Sequence, residues 1–188
     1  MIRSELMLIG GRSGVGKTAV ALEMHALLAA ADVRHAVIEG DALDLAYPPP
    51  WEHHLAERNL AAIWASYRSL GYHRLIYTNT VSVVHADELA TALGDEPRVT
   101  AVLLTASDDV AGDRLASRER GGALDEHVGR SIRRARELDE AAPPWVHREA
   151  TDDRTVRDIA ERLVALTGWI TRHPAPPPPI GPASTCSP

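Results

Sequence analysis

The chain has no phenylalanine, one cysteine and one lysine. Each shortage excludes something. Without phenylalanine, a core must be aliphatic, with a few Trp and Tyr. A hydrophobic content of 45% in 188 residues is enough for one sizeable core, and the length predicts one domain. The only cysteine, Cys186, can form no internal disulfide, which excludes a disulfide-stapled scaffold and fits a reducing compartment. No apolar run approaches the ~18 residues of a membrane helix. The first apolar run leads into a glycine-rich loop and not into a cleavage site. The expectation is a cytoplasmic protein with no membrane partner. A net charge of -6 argues against a general nucleic-acid binder.

The lone lysine is the most informative residue, because every other strong base is one of nineteen arginines. Lys17 lies in Gly11-Arg12-Ser13-Gly14-Val15-Gly16-Lys17-Thr18, which matches the phosphate-binding pattern G-x-x-x-x-G-K-[ST] without a gap. A slim ammonium fits between the β- and γ-phosphates of a nucleotide, where a planar guanidinium fork is too wide. The run Leu6-Met7-Leu8-Ile9 before it reads as a buried parallel strand, and Thr18 to Ala30 reads as a helix. The glycines therefore mark a strand-to-helix turn whose backbone N–H groups and helix N-terminus favour an anion. Gly11, Ser13, Gly14, Val15, Gly16, Lys17 and Thr18 are the expected nucleotide-binding residues. Lys17 is expected to be catalytic, and the Thr18 hydroxyl is a candidate ligand for Mg²⁺.

Further along, Ala36 to Glu39 reads as strand two, Leu75 to Thr78 as strand three, Val99 to Leu104 as strand four and Trp145 to Ala150 as strand five. Helices are expected over about Trp51–Leu70, His85–Leu93, Ser107–Arg118, Glu126–Glu140 and Thr155–Thr167. Alternation of strands and helices predicts an α/β fold: a five-stranded parallel sheet covered on both faces, with ligands beyond the C-terminal strand ends. The domain is expected over residues 1–170, with a short lid at about 118–127. Seven of thirteen prolines fall between Pro174 and Pro188, so residues 171–188 read as a proline-rich disordered tail.

Asp41, just past strand two, lies on the same sheet edge as the phosphate loop. A carboxylate there can orient a substrate hydroxyl and take its proton, or hold a water on Mg²⁺. The plainer alternative is a helix cap from Asp41. Asp44 is a weaker candidate on the same turn. Arg114 and Arg118 share a helix face leading to Gly121-Gly122, where a mobile loop can bring guanidinium groups to phosphate. Arg130, Arg133, Arg134 and Arg136 read as solvated, answered by Glu126, Glu137, Asp139 and Glu140. His53 and His54 lack the spacing of a helical zinc pair. Thr78-Asn79-Thr80 carries no acid where many P-loop ATPases place one, which shifts the metal's burden toward Asp41.

On the phosphate loop, Gly40-Asp41 and Arg114-x-x-x-Arg118, the chain resembles small P-loop kinases of the nucleoside monophosphate kinase-like group. It is similar to chloramphenicol phosphotransferase, gluconate kinase, shikimate kinase and adenylylsulfate kinase over roughly residues 4–168. The resemblance implies ATP and Mg²⁺ as cofactors and a small-molecule acceptor. It implies that Asp41 contacts the acceptor, that Arg114 stacks on adenine and that Arg118 contacts phosphates. It also places the loop from Thr151 to Arg154 against the adenine. The expectation is an ATP-dependent kinase of a small hydroxylated metabolite or antibiotic, with Lys17, Asp41 and Arg118 catalytic, Arg114 and Arg154 on the nucleotide, and Thr18 and Asp41 on the metal. Alternatives are a nucleotide-gated regulatory or ATPase module and a nucleoside monophosphate kinase. Asp41, Asp44, Glu52 and Glu57 speak against a phosphorylated acceptor. The oligomeric state stays open, with a homodimer as one form.

Overall fold

A computed structural model describes residues 2–50, 53–117 and 124–170, the side chains of 124 and 125 excepted. Strands β1 (Glu5–Gly10), β2 (Ala36–Glu39), β3 (Arg74–Thr78), β4 (Arg98–Thr105) and β5 (His147–Ala150) form one sheet in the order β2-β3-β1-β4-β5. Every pairing is parallel. The helices are α1 (Lys17–Ala30), α2 (Leu55–Ser69), α3 (Ala86–Leu93), α4 (Asp108–Ala116), α5 (Leu124–Ala141) and α6 (Val156–Thr167), and a single 3₁₀ turn spans Gly40–Ala42.

β1 is central, so both of its faces must be covered. Successive side chains point to opposite faces. Leu6 and Leu8 enter a cluster with Leu60 and Trp64 of α2, Leu89 of α3 and Leu138 of α5. Met7 and Ile9 enter a second cluster with Val20, Met24 and Leu28 of α1 and Ile159 and Leu163 of α6. The missing phenylalanine is replaced by aliphatic volume and by Trp64 and Tyr77, both nearly fully buried. Trp64 donates from Nε1 to Ser4 Oγ at 3.2 Å, which satisfies its one polar atom.

The sheet is therefore five-stranded, parallel and covered on both faces, as the alternating pattern predicts. Element ends differ in places. α2 begins at Leu55 and not near Trp51. α5 begins at Leu124, so the last residues of the expected lid are helical. Residues 118–123 and the proline-rich tail lie outside the described residues, as does Arg118.

The strand order fixes where a ligand can bind. From β1 the chain moves out to β2, returns to β3, then crosses to β4 on the other side of β1. The C-terminal end of β1 thus faces the crevice where the connections diverge, the usual ligand position in open parallel sheets.

Candidate functional site

β1 ends at Gly10, and the phosphate loop turns directly into α1. Gly14 has φ 83°, and a Cβ there would lie 2.6 Å from the Ala111 carbonyl oxygen of α4. Only glycine supplies both that backbone angle and that close approach. α1 starts at Lys17 without a side-chain cap and without an acidic residue in its first turn. Its first N–H groups and its positive dipole end are thus left to face an anion.

Lys17 is 9% exposed. Its Nζ donates to Gly11 O at 2.8 Å and Arg12 O at 3.4 Å, which folds the ammonium over the loop. Thr18 Oγ1 donates to Glu39 Oε1 at 3.0 Å. Asp41 sits one turn past β2, and its Oδ1 accepts from Asn79 Nδ2 at 2.7 Å. Asn79 is itself fixed, because its Oδ1 accepts from Val81 N at 2.8 Å. A cavity of about 230 Å³ joins these groups, with walls that include Ser13, Gly14, Lys17, Thr18, Glu39 and Asp41.

Oxygen donors line this cavity beside one buried ammonium. No cluster of three or more His, Cys, Asp or Glu able to hold a metal occurs among the described residues. That composition suits Mg²⁺, which keeps several waters and takes further ligands from phosphate oxygens. Thr18 fits the part, since donating its proton to Glu39 leaves its oxygen lone pairs available to a cation.

A phosphate loop at the end of the central strand, under a five-stranded parallel sheet of this order, finds its counterparts among solved structures. Its structural neighbours include a gluconokinase, an APS kinase and a shikimate kinase. The tunicamycin resistance protein of Deinococcus radiodurans is 24% identical, with 88% of this chain and 96% of that one covered and a TM-score of 0.60. A gluconokinase from Sinorhizobium meliloti is 18% identical, with 89% and 94% covered and a TM-score of 0.57. The APS kinase of Mycobacterium tuberculosis, solved with AMPPNP and APS, is 18% identical, with 88% and 98% covered and a TM-score of 0.54. No protein-family model and no curated protein matches the sequence.

Within this fold, the structure brings the expected Ser13, Gly14, Gly16, Lys17, Thr18 and Asp41 to one cavity. Gly11 and Val15 lie behind it, both buried. Arg114 meets the loop at Val15. It donates from Nη1 to Val15 O at 3.4 Å and Thr151 Oγ1 at 2.9 Å, and from Nη2 to Thr151 O at 3.1 Å. Arg154 is engaged elsewhere: it pairs with the buried Glu149 and donates from Nη2 to Asp158 O at 3.4 Å.

Three features escaped the reading of the sequence. Glu39 is the carboxylate on the Thr18 hydroxyl, though it read only as the end of a strand. Asn79, noted for the acid it is not, holds Asp41. Arg12, a variable position of the phosphate motif, is 2% exposed. It donates from Nε to Ser131 Oγ at 3.0 Å and pairs with Asp108, so it ties the loop to α5 and α4. Pattern alone signals none of the three, because each depends on pairing across distant segments. Arg130, Arg133 and Arg134 are exposed on α5, and Arg130 and Arg134 pair with Glu126 and Glu137, as the reading of a solvated face expects.

Proposed function

We propose that this chain is a Mg²⁺-dependent ATP phosphotransferase acting on a hydroxyl of a small metabolite or antibiotic. The observation that carries the reading is the single cavity uniting Lys17 and Thr18 of the phosphate loop with Asp41 and Glu39 from the end of β2. The P-loop kinase fold supports it.

In this reading, the loop N–H groups and Lys17 hold the β- and γ-phosphates. Lys17 exchanges its bonds to Gly11 O and Arg12 O for phosphate oxygens. Magnesium, held through Thr18 and waters ordered by Glu39 and Asp41, would supply charge neutralisation on the phosphates. Asp41, oriented by Asn79, accepts a hydrogen bond from the acceptor hydroxyl and takes its proton during transfer. Arg118 of the lid would add positive charge to the transferring group and Arg114 would contact the nucleotide, whereas Arg154 would have to leave Glu149 to reach it. Little covalent work falls to the protein, since in-line transfer rests on positioning and electrostatics.

The test is Asp41→Asn. Asn keeps an oxygen that accepts from Asn79, so the local fold survives, but it takes no proton at neutral pH. ATP affinity should stay within a few-fold. Acceptor-dependent ADP release, found by screening metabolites and antibiotics, should fall by about 10²–10⁴. Full turnover in the variant would remove Asp41 from the mechanism. A wild-type chain without affinity for Mg-ATP would sink the kinase reading itself.

A further inference from the structure

Tyr77 brings a polar atom to the Asp41 end of the site and leaves it unused. The residue is 2% exposed and packs in the cluster with Leu60 and Trp64. Its hydroxyl reaches out of that cluster to the turn after β2, where a Cβ on Gly40 would lie 2.2 Å from the oxygen. Asp41 follows Gly40 directly. The hydroxyl has no hydrogen-bond partner among the described residues. A buried phenol normally finds a partner, so an idle one at the edge of a site points to a group that arrives from outside.

Three carboxylates lie around this hydroxyl, close enough for the charges of Asp41, Glu57 and Asp44 to be felt there. Two segments bring them. The segment after β2 carries Asp41 and Asp44, and the first turn of α2 carries Glu57. Asn59 of α2 ties the two segments together, donating from Nδ2 to Leu43 O at 2.6 Å. Asp44 and Glu57 are both half-buried. Among the described residues, none of the three carboxylates pairs with an arginine or a lysine, and Glu57 has only the exposed His54, at 4.0 Å. Negative charge is thus gathered here and left uncompensated. A metal ion does not answer it, because no group of three or more His, Cys, Asp or Glu is placed to hold one among the described residues. An ammonium group does, since its three N–H donors serve separate acceptors without a tight coordination shell. Beyond Asp44 the same segment exposes Leu45 and Tyr47, an apolar surface that suits an organic body and not a hydrated inorganic ion.

We infer that the acceptor is an amino alcohol: Asp44 and Glu57 neutralise its ammonium group, the Tyr77 hydroxyl accepts a hydrogen bond from that ammonium, and the hydroxyl to be phosphorylated reaches Asp41. A phenol can accept from an ammonium and donate its own proton to a carboxylate at the same time. The inference rests on the kinase reading and gives it an acceptor class. It takes the sequence-based expectation a step further: the acidic residues that disfavour a phosphorylated acceptor become the groups that recognise a cationic one. Tyr77, invisible to that expectation as one residue of a buried strand, adds direction to what would otherwise be charge alone.

The test is calorimetric titration of the full chain, saturated with Mg-AMPPNP, at low and fixed ionic strength, where screening is weak. Two matched probe sets differ in charge and keep the hydroxyls: ethanolamine, ethylene glycol and glycolate, then glucosamine, glucose and glucuronate. In at least one set the amine should bind saturably, about 10-fold or more tighter than its neutral and acidic counterparts. Asp44→Asn and Glu57→Gln should each weaken the amine by about 3- to 10-fold, and together by more, while Mg-AMPPNP affinity stays within a few-fold. Tyr77→Phe should weaken the amine by a similar factor with the thermal midpoint nearly unchanged, because its hydroxyl satisfies no bond in the fold. Should that variant unfold, the two carboxylate variants, on half-buried side chains, still decide. No preference for the amine in either set would overturn the inference. So would a preference that survives Asp44→Asn combined with Glu57→Gln. Displacement of the amine by equimolar Ca²⁺ would assign the carboxylates to a metal and overturn it as well. If Mg-AMPPNP itself fails to bind, the kinase reading fails, and the same titrations on the free chain still decide the ammonium site.

Discussion

Gly40 shows how much of the site hangs on one missing methyl group. A Cβ at this position would overlap the Tyr77 ring and hydroxyl. Tyr77 is 2% exposed and cannot swing aside. Its phenol is held neutral well above its ordinary range, first by burial and then by the negative charge of Asp41, Glu57 and Asp44. Gly40→Ala should therefore displace the 3₁₀ turn that carries Asp41, costing about 1–3 kcal/mol by overpacking. Urea unfolding would measure that cost, and ATP affinity, set by the loop, should fall much less than turnover. Arg12 is the second residue of this kind. Arg12→Gln breaks its bonds to Ser131 and Asp108, with an expected cost of about 1–3 kcal/mol. Hydrogen exchange should quicken around Ser131 while β1 keeps its protection. Unchanged exchange there would mean that α5 is seated by its apolar face alone.

Among the elements, α6 has the clearest local signature. Thr155 Oγ1 accepts from Asp158 N at 3.1 Å, while Asp158 Oδ2 accepts from Thr155 N at 3.3 Å. This reciprocal box satisfies two N–H groups that the helix end would otherwise leave bare. α6 packs on α1, and both meet β1 through Met7 and Ile9, so fraying of α6 loosens the support of the phosphate loop. Thr155→Ala should lower stability by about 1 kcal/mol, and Thr155→Ser should restore most of it. Equal thermal midpoints for wild type and Thr155→Ala would show that packing alone defines this helix start. α4 is tied differently. Ser107 caps it, accepting from Val110 N at 3.4 Å, and donates from N and Oγ to Asp152 Oδ1 at 2.9 and 2.7 Å. The loop after β5 thereby positions the helix that carries Arg114.

At the scale of the molecule, these hydrogen bonds and two partly buried histidines set the response to acid. His35 and His73 are lowered from the ordinary value of 6.5, in each case mainly by burial. The folded state prefers them neutral, so the unfolded chain takes up protons first as the pH falls. Stability from this source is present above about 6.5 and is lost below it. Asp152 is lowered by the bonds from Ser107, and Asp158 by the bonds from Thr155. Their contribution is present above the ordinary carboxylate range and is lost as the pH falls through their depressed folded values. Urea midpoints measured from pH 8 to pH 3 should hold level near neutrality, then decline in two stages. Asp152→Asn should blunt the second stage and leave the first. A midpoint that rises between pH 7 and pH 5 would contradict the histidine assignment.

The phosphate loop and the sheet were legible in the residues because both are written in short-range patterns. The glycine spacing, the lysine and the apolar run from Leu6 to Ile9 lie within fifteen residues. Uninterrupted apolar strands separated by helical periods imply parallel pairing, since a parallel crossover needs a helix to cover the sheet. The position of Asp41 was legible for the same reason, as a carboxylate immediately after a strand. The partners of these groups were not. Glu39 meets Thr18 across 21 residues, Asn79 meets Asp41 across 38, and Ser131 meets Arg12 across 119. Such pairs leave no periodicity, because a hydrogen bond depends on where two backbones pass in space and not on their separation along the chain.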